Sequence, residues 1–214
     1  RRKAADALAA IMQRAAVDTR KRQTLFEALL AAVKVFGRSH RIVEDVRGKH
    51  ETYGDLLQAT LALARIGSRV AAEREIVGVM MPNLSTTACV LLGLSAAGRV
   101  PALLNYTAGA EALRSACVAA GIRTVITSRQ FVEKARLYPA LDALCNQRVL
   151  FIEDLRRQFG ALDKLWLVAW ALWRPRTVLR ARDSSATAVV LFTSGSEARP
   201  KGVALSHDAL LANI

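Results

Sequence analysis

The chain has 214 residues, 52% of them hydrophobic, with 12 glycines and 5 prolines; this excludes a disordered or low-complexity polymer and suffices for one well-cored domain. Its 31 basic against 18 acidic residues give a net charge of +13, but the basic residues are scattered and carry no helix-turn-helix, zinc-finger or RRM signature, so nucleic acid is not the expected partner. Three unpatterned cysteines, Cys89, Cys117 and Cys145, argue against a disulfide framework or a zinc site and for plain core thiols in a reducing compartment.

Residues 4–17 form an alanine-rich helical pattern, and the polar run at residues 18–22 breaks it; residues 1–22 read as a helical connector from something upstream. Arg1-Arg2-Lys3 is not followed by the apolar core of a cleavable signal, and a cytoplasmic location is expected. Thr24-Leu25-Phe26-Glu27 is a capping box, opening a helix with Leu25, Leu29, Ala32, Val33 and Phe36 on one face and a stop at Gly37. Residues 40–46 read as a strand, Arg47-Gly48-Lys49 as a turn, and Thr52-Tyr53-Gly54-Asp55 as the entry to a helix reaching about Arg69. His40 and His50 flank this hairpin as surface residues.

A regular alternation follows. Residues 76–81 make a strand, Ser85 caps a helix running to Gly98, and residues 100–104 make a second strand. A helix over 109–120 ends at Gly121, before a third strand at 123–127 and a helix around 129–137. Residues 148–152 and 188–192 give two more strands. Strands separated by helices of this length predict an α/β fold, a mostly parallel sheet with flanking helices, and ligands at the carboxyl ends of its strands.

All three tryptophans, Trp166, Trp170 and Trp173, lie within residues 162–173 at a spacing that puts them on one helical face. The apolar run is too short for the roughly 20 residues that span a bilayer. With Arg174, Arg176, Arg180 and Arg182 following, it suits a helix lying in a membrane surface; a helix docked on the rest of the fold is the alternative. The anionic partners that fit the net charge are phospholipid headgroups, an acidic carrier protein or the phosphates of CoA, unless the charge is simply solvated.

The stretch with chemistry is residues 188–203. A buried strand opens into Thr193-Ser194-Gly195-Ser196-Glu197-Ala198-Arg199-Pro200-Lys201-Gly202. Backbone N–H groups of a small Gly-containing loop converge on anionic oxygens, the hydroxyls add donors and Lys201 adds a cation, a combination suited to a polyphosphate. It is not a Walker A loop: Pro200 precedes the lysine and Gly202, not Ser or Thr, follows it. A solvated Ser/Gly turn is the plainer alternative. Residues 203–205 return as a short strand, and Ser206 caps a last helix in which His207 has a structural place.

Residues 193–202 resemble the phosphate-binding signature of the adenylate-forming (AMP-binding) enzymes, T-S-G-[ST]-[TE]-G-x-P-K-G, and Val203-Ala204-Leu205-Ser206-His207 continues the likeness. Glu197 is similar to the acyl-acyl-carrier-protein synthetase branch, which includes bifunctional 2-acylglycerophosphoethanolamine acyltransferases. Ala198 departs from the pattern, standing where the family has glycine; at a position of positive φ, alanine costs about 1–2 kcal/mol.

The resemblance implies that residues 23–214 are the N-terminal part of an adenylation domain, a fragment lacking the rest of that domain. It implies ATP with Mg²⁺, with Thr193, Ser194, Gly195, Ser196, Glu197, Lys201 and Gly202 at the nucleotide and Thr193 and Lys201 acting in catalysis. It further implies activation of a fatty acid as its adenylate and transfer to an acyl-carrier-protein or CoA thiol, and in some relatives onward to a lysophospholipid. A non-catalytic membrane-associated or carrier-binding module that keeps the loop is the alternative reading.

Overall fold

The computed structural model describes residues 23–44, 50–179, 183–194 and 200–213. Expectations for residues 1–22, the turn at 47–49, Arg180, Arg182 and residues 195–199 lie outside the described residues, as do those for the side chains of Trp170 and Ser194.

Helix α1 (Leu25–Phe36) begins with the expected capping box: Thr24 Oγ1 accepts from the Glu27 amide and Glu27 Oε2 accepts from the Thr24 amide. It ends at Gly37, whose φ of 84° suits a residue without Cβ. Its buried residues are Phe26 and Leu29, whereas Phe36 is 56% exposed. Leu29 and Val33 thus face inward as expected, but Phe26 rather than Leu25 fills the first turn, packed with Leu57 and Leu61, and Phe36 faces out.

A two-stranded antiparallel ribbon, β1 (Arg41–Glu44) and β2 (His50–Thr52), leads into α2 (Tyr53–Val70). Thr52 and Asp55 form a second capping box. His40 and His50 are exposed, His40 beside the rings of Phe36 and Tyr53.

The main sheet then builds up through β3 (Ile76–Met80), α3 (Ser85–Ala96), β4 (Val100–Leu103), α4 (Ala110–Ala119), β5 (Thr124–Thr127), α5 (Arg129–Lys134), α6 (Tyr138–Ala143), β6 (Arg148–Phe151) and α7 (Ile152–Arg157). Helix α8 (Ala161–Trp166) and an irregular stretch precede β7 (Thr187–Ser194), β8 (Pro200–Ser206) and α9 (His207–Leu211). The strand order is β6-β5-β3-β4-β7-β8; all pairings are parallel except β7 with β8.

Three expectations are corrected. Ser85 does not cap α3: the cap is Leu84, without a side-chain bond, and the Thr87 hydroxyl instead donates to the Pro82 carbonyl at 2.6 Å. The helix expected near 129–137 stops at Lys134, and α6 and α7 follow where no helix was expected; each has only six residues, too short to show a 3.6-residue period. Cys145 is exposed, whereas Cys89 and Cys117 are core thiols.

Helices cover both sheet faces. On one, α4, α5 and α6 pack over Met80, Ala102, Val125 and Val190. On the other, α2, α3 and α7 cover Val77, Val79 and Ile126, and α1 lies over α2 and α3. Strand β3 is buried along almost its whole length, so its sequence reads as continuously apolar rather than alternating.

Candidate nucleotide-phosphate site

Strand β7 is rich in β-branched residues, and Ala188, Val189 and Val190 are buried where it pairs with β4 through Ala102↔Val190 and Leu103↔Leu191. The chain emerges from the core at Thr193, which is exposed. Strand β8 returns antiparallel at the sheet edge, with Thr193 opposite Lys201 and Ser194 opposite Pro200. Pro200 has no amide hydrogen, and as the first residue of an edge strand it removes no interior ladder bond.

Directly opposed residues of an antiparallel pair project to one face with Cβ atoms about 4.5–5.5 Å apart. The structure thus brings Thr193 and Lys201, eight positions apart in the chain, side by side at the hairpin tip. Lys201 is exposed and makes no hydrogen bond or ion pair among the described residues. Gly202 stands opposite Phe192; an added Cβ would meet the Phe192 ring at 3.4 Å, an ordinary contact, so packing alone does not demand glycine. Gly195, Ser196 and Glu197 lie outside the described residues.

The tip stands at the carboxyl end of β7, next to β4. From β3 the chain runs by α3 to β4 on one side, and from β4 by α4 to β5 on the other, so the topology switches direction between β3 and β4. Open α/β sheets form their ligand crevice at such a switch point. The loops opening here are Pro82-Asn83 and Asn105-Tyr106-Thr107. Asn105 Oδ1 accepts from the Thr107 amide at 3.0 Å and hydroxyl at 2.7 Å, so that side chain shapes its own turn. Among the described residues no three His, Cys, Asp or Glu side chains converge as a metal cage.

Just beyond the hairpin, Ser206 caps α9 by accepting from the Ala209 amide, as expected. His207 is buried, and its Nδ1 accepts from the Leu25 amide at 3.1 Å. It thereby satisfies one of the free amides at the start of α1 and ties that helix to the strand leaving the site. Burial pushes the His207 pKa down, against the charges of Asp208, Glu27 and Asp183. A histidine with a lowered folded pKa binds its proton more readily when unfolded. Stability is then full above pH about 6.5 and is lost as pH falls below that value towards the folded pKa. Thermal melts between pH 5 and 8 should show this loss, flattened in His207→Asn, whose Oδ1 keeps the acceptor without titrating; identical profiles would contradict the assignment.

The tryptophan segment departs from expectation. Its α-helix ends at Trp166, and a π-turn follows over Leu167–Ala171, with the Leu172 amide bonded to the Leu167 carbonyl at 3.0 Å. The wider turn breaks the 3.6-residue period on which the expected shared face rested. Trp166 is half-buried, with the Arg65 guanidinium 4.3 Å from its ring centroid, while Trp173 is 82% exposed. Leu167 and Ala171 dock into the core. Buried Asp163 fastens α8 to α2, accepting from Arg65 Nε at 2.6 Å and from both Arg69 terminal nitrogens. Arg69 first and Arg65 second hold its carboxyl well below the usual range. Arg65 and Arg69, one turn apart on α2, were the overlooked signal for a buried acid.

The architecture is an open, mostly parallel α/β sheet with its hydroxyl- and lysine-bearing hairpin at the carboxyl edge. The chain belongs to the AMP-binding enzyme family, whose model matches residues 30–214. It is 28% identical over 193 residues to 4-coumarate–CoA ligase-like 1 of Arabidopsis thaliana, covering 89% of this chain and 34% of that protein. It is 27% identical over 173 residues to acetyl-coenzyme A synthetase of Escherichia coli K12, covering 73% and 26%. Among solved structures, VinN with 3-methylaspartate superposes with a TM-score of 0.70 at 25% identity, covering 89% of this chain and 49% of that one. The N-terminal subdomain of Klebsiella oxytoca NpsA, at 18% identity and a TM-score of 0.65, shares the fold. The chain thus spans about a third or less of the curated relatives and about half of the structural neighbours.

Proposed function

We propose that this chain is the nucleotide-phosphate-gripping part of an AMP-forming acid–thiol ligase. Residues 23–214 form the N-terminal portion of its adenylation domain, and residues 1–22 are a connector. The observation that carries this is Thr193 and Lys201 facing one another at the carboxyl edge, on the hairpin closing the T-S-G-S-E-A-R-P-K-G stretch.

A carboxylate is a poor electrophile because its leaving group would be oxide. Its oxygen attacks the α-phosphorus of ATP, the bond from that phosphorus to the bridging oxygen breaks, and pyrophosphate leaves. A thiol sulfur then attacks the acyl carbon and AMP departs. The protein's part is positioning and charge stabilisation. Thr193, Ser194, Gly195, Ser196, Glu197 and the Gly202 backbone line the polyphosphate, and Lys201 offsets the charge gathering on the departing pyrophosphate. The described residues supply no ready-made cage for Mg²⁺, which would arrive on the triphosphate. The relatives' names support CoA as the thiol; a fatty acid substrate, an acyl-carrier-protein acceptor and transfer to a lysophospholipid rest on the Glu197 likeness. Acid-dependent ATP–pyrophosphate exchange by the enzyme carrying this chain tests the reading, and acid-independent release of orthophosphate would overturn it.

A second reading, contact with a membrane surface, is supported by α8. Leu162 (80% exposed), Leu165 (64%) and Trp173 face outward beside exposed Arg174 and Arg176. Among the described residues no helix is long and apolar enough to cross a membrane. With anionic liposomes, replacing Leu162, Leu165 and Trp173 by Ser should cut flotation at least fivefold; unchanged flotation would rule this contact out.

A further inference from the structure

A cavity of about 630 Å³ lies on the α2–α3 face of the sheet, away from the phosphate hairpin, between α2, the start of α3, α7 and the α8 segment. Its floor is apolar: Ala59, Leu63, Phe159 and Leu167, with the free thiol of Cys89 among them. The space suits a ligand of modest size, since such sites run from roughly 300 to 1,000 Å³. The walls differ in charge. Glu51 and Asp55 stand on the β2–α2 side, where Asp55 Oδ2 already accepts from the Thr52 amide and hydroxyl in the capping box. Arg156 and Lys164 stand on the α7–α8 side, and neither has an ion-pair partner among the described residues. The thiol matches an apolar floor: burial first, then the Glu51 charge, pushes the Cys89 pKa up to about 11.

We propose that this cavity binds a small apolar carboxylic acid, its hydrocarbon part on the Leu63–Cys89–Phe159 floor and its carboxylate at Arg156 and Lys164. The site is distinct from the hairpin, and its occupation requires neither nucleotide nor turnover.

Cys117 supplies an internal control. It is as buried as Cys89, its pKa is likewise pushed up to about 11 by burial, and it packs on the opposite face of the sheet. The enzyme carrying this chain is alkylated with N-ethylmaleimide in the absence of nucleotide, and the rates at Cys89 and Cys117 are read by peptide mass spectrometry. Decanoate, below its micellar concentration, should slow Cys89 at least fivefold and leave Cys117 unchanged. Decanol should protect less, decylamine less still, and Ala62→Phe, which narrows the cavity, should abolish the effect. In Arg156→Ala/Lys164→Ala the advantage of decanoate over decanol should vanish. Equal slowing of Cys89 and Cys117 would mean a general effect on the fold and overturn the proposal. So would an unchanged Cys89 rate, or stronger protection by decylamine. Acid-dependent pyrophosphate exchange is read separately, so a failure of the ligase reading leaves this result standing.

Discussion

Replacing Lys201 by alanine is expected to lower acid-dependent ATP–pyrophosphate exchange by about 100- to 1,000-fold in the enzyme carrying this chain. The estimate rests on a positioned cation meeting charge that develops as pyrophosphate leaves, an interaction stronger in the transition state than with bound ATP. The fold should not suffer: Lys201 is exposed on an edge strand, and substitutions at such places stay within about 0.5 kcal/mol. The loss should fall mainly on the rate of exchange rather than on the ATP concentration it requires. Thr193→Ala removes a neutral hydroxyl donor and should cost less, about threefold to tenfold. Full activity in Lys201→Ala, at wild-type melting temperature, would remove that lysine from the mechanism.

The largest expected effect on stability lies elsewhere, at Gly93. Helices α2 and α3 form the main helix contact of the fold, and Gly93 sits against the α2 backbone in that contact. A Cβ there would sit 2.8 Å from Leu63 Cβ, 3.0 Å from the Ala64 amide nitrogen and 3.0 Å from the Thr60 carbonyl oxygen. None of these atoms ends a flexible side chain, so relief requires the helices to separate. Gly93→Ala should therefore destabilise by about 2 kcal/mol, despite alanine's better helix propensity, and lower the melting temperature by about 4–8 °C. Gly67→Ala is the contrast. Its new methyl meets mainly the Leu94 Cδ2 end at 3.1 Å, which can rotate, so the cost should stay under about 1 kcal/mol. Calorimetry of the two variants distinguishes them; equal melting points would mean the helix contact is looser than described.

Much of this architecture was legible where local chemistry is self-sufficient. Thr24/Glu27 and Thr52/Asp55 announce their helices because a capping box involves only four consecutive residues. The strands from Ile76 to Phe192 were legible as apolar segments at regular intervals. Long-range packing hid the rest. Phe26 rather than Leu25 points inward because α2 supplies the hole, and no helical period within α1 records that. The tryptophan spacing misled because helical wheels assume 3.6 residues per turn and the π-turn at Leu167–Ala171 does not. At the site, the signature named Thr193 and Lys201, but their apposition follows from the β7–β8 register, which residue identities alone do not contain. The cavity beside Cys89 was invisible for the same reason: its walls come from segments far apart in the chain.

A crystal structure of the enzyme carrying this chain, with a non-hydrolysable ATP analogue, tests the central claim most directly. Terminal phosphate oxygens should lie about 3 Å from Thr193 Oγ1 and Lys201 Nζ, at the carboxyl edge beside β4. A triphosphate seated elsewhere, with Lys201 turned to solvent, would contradict it.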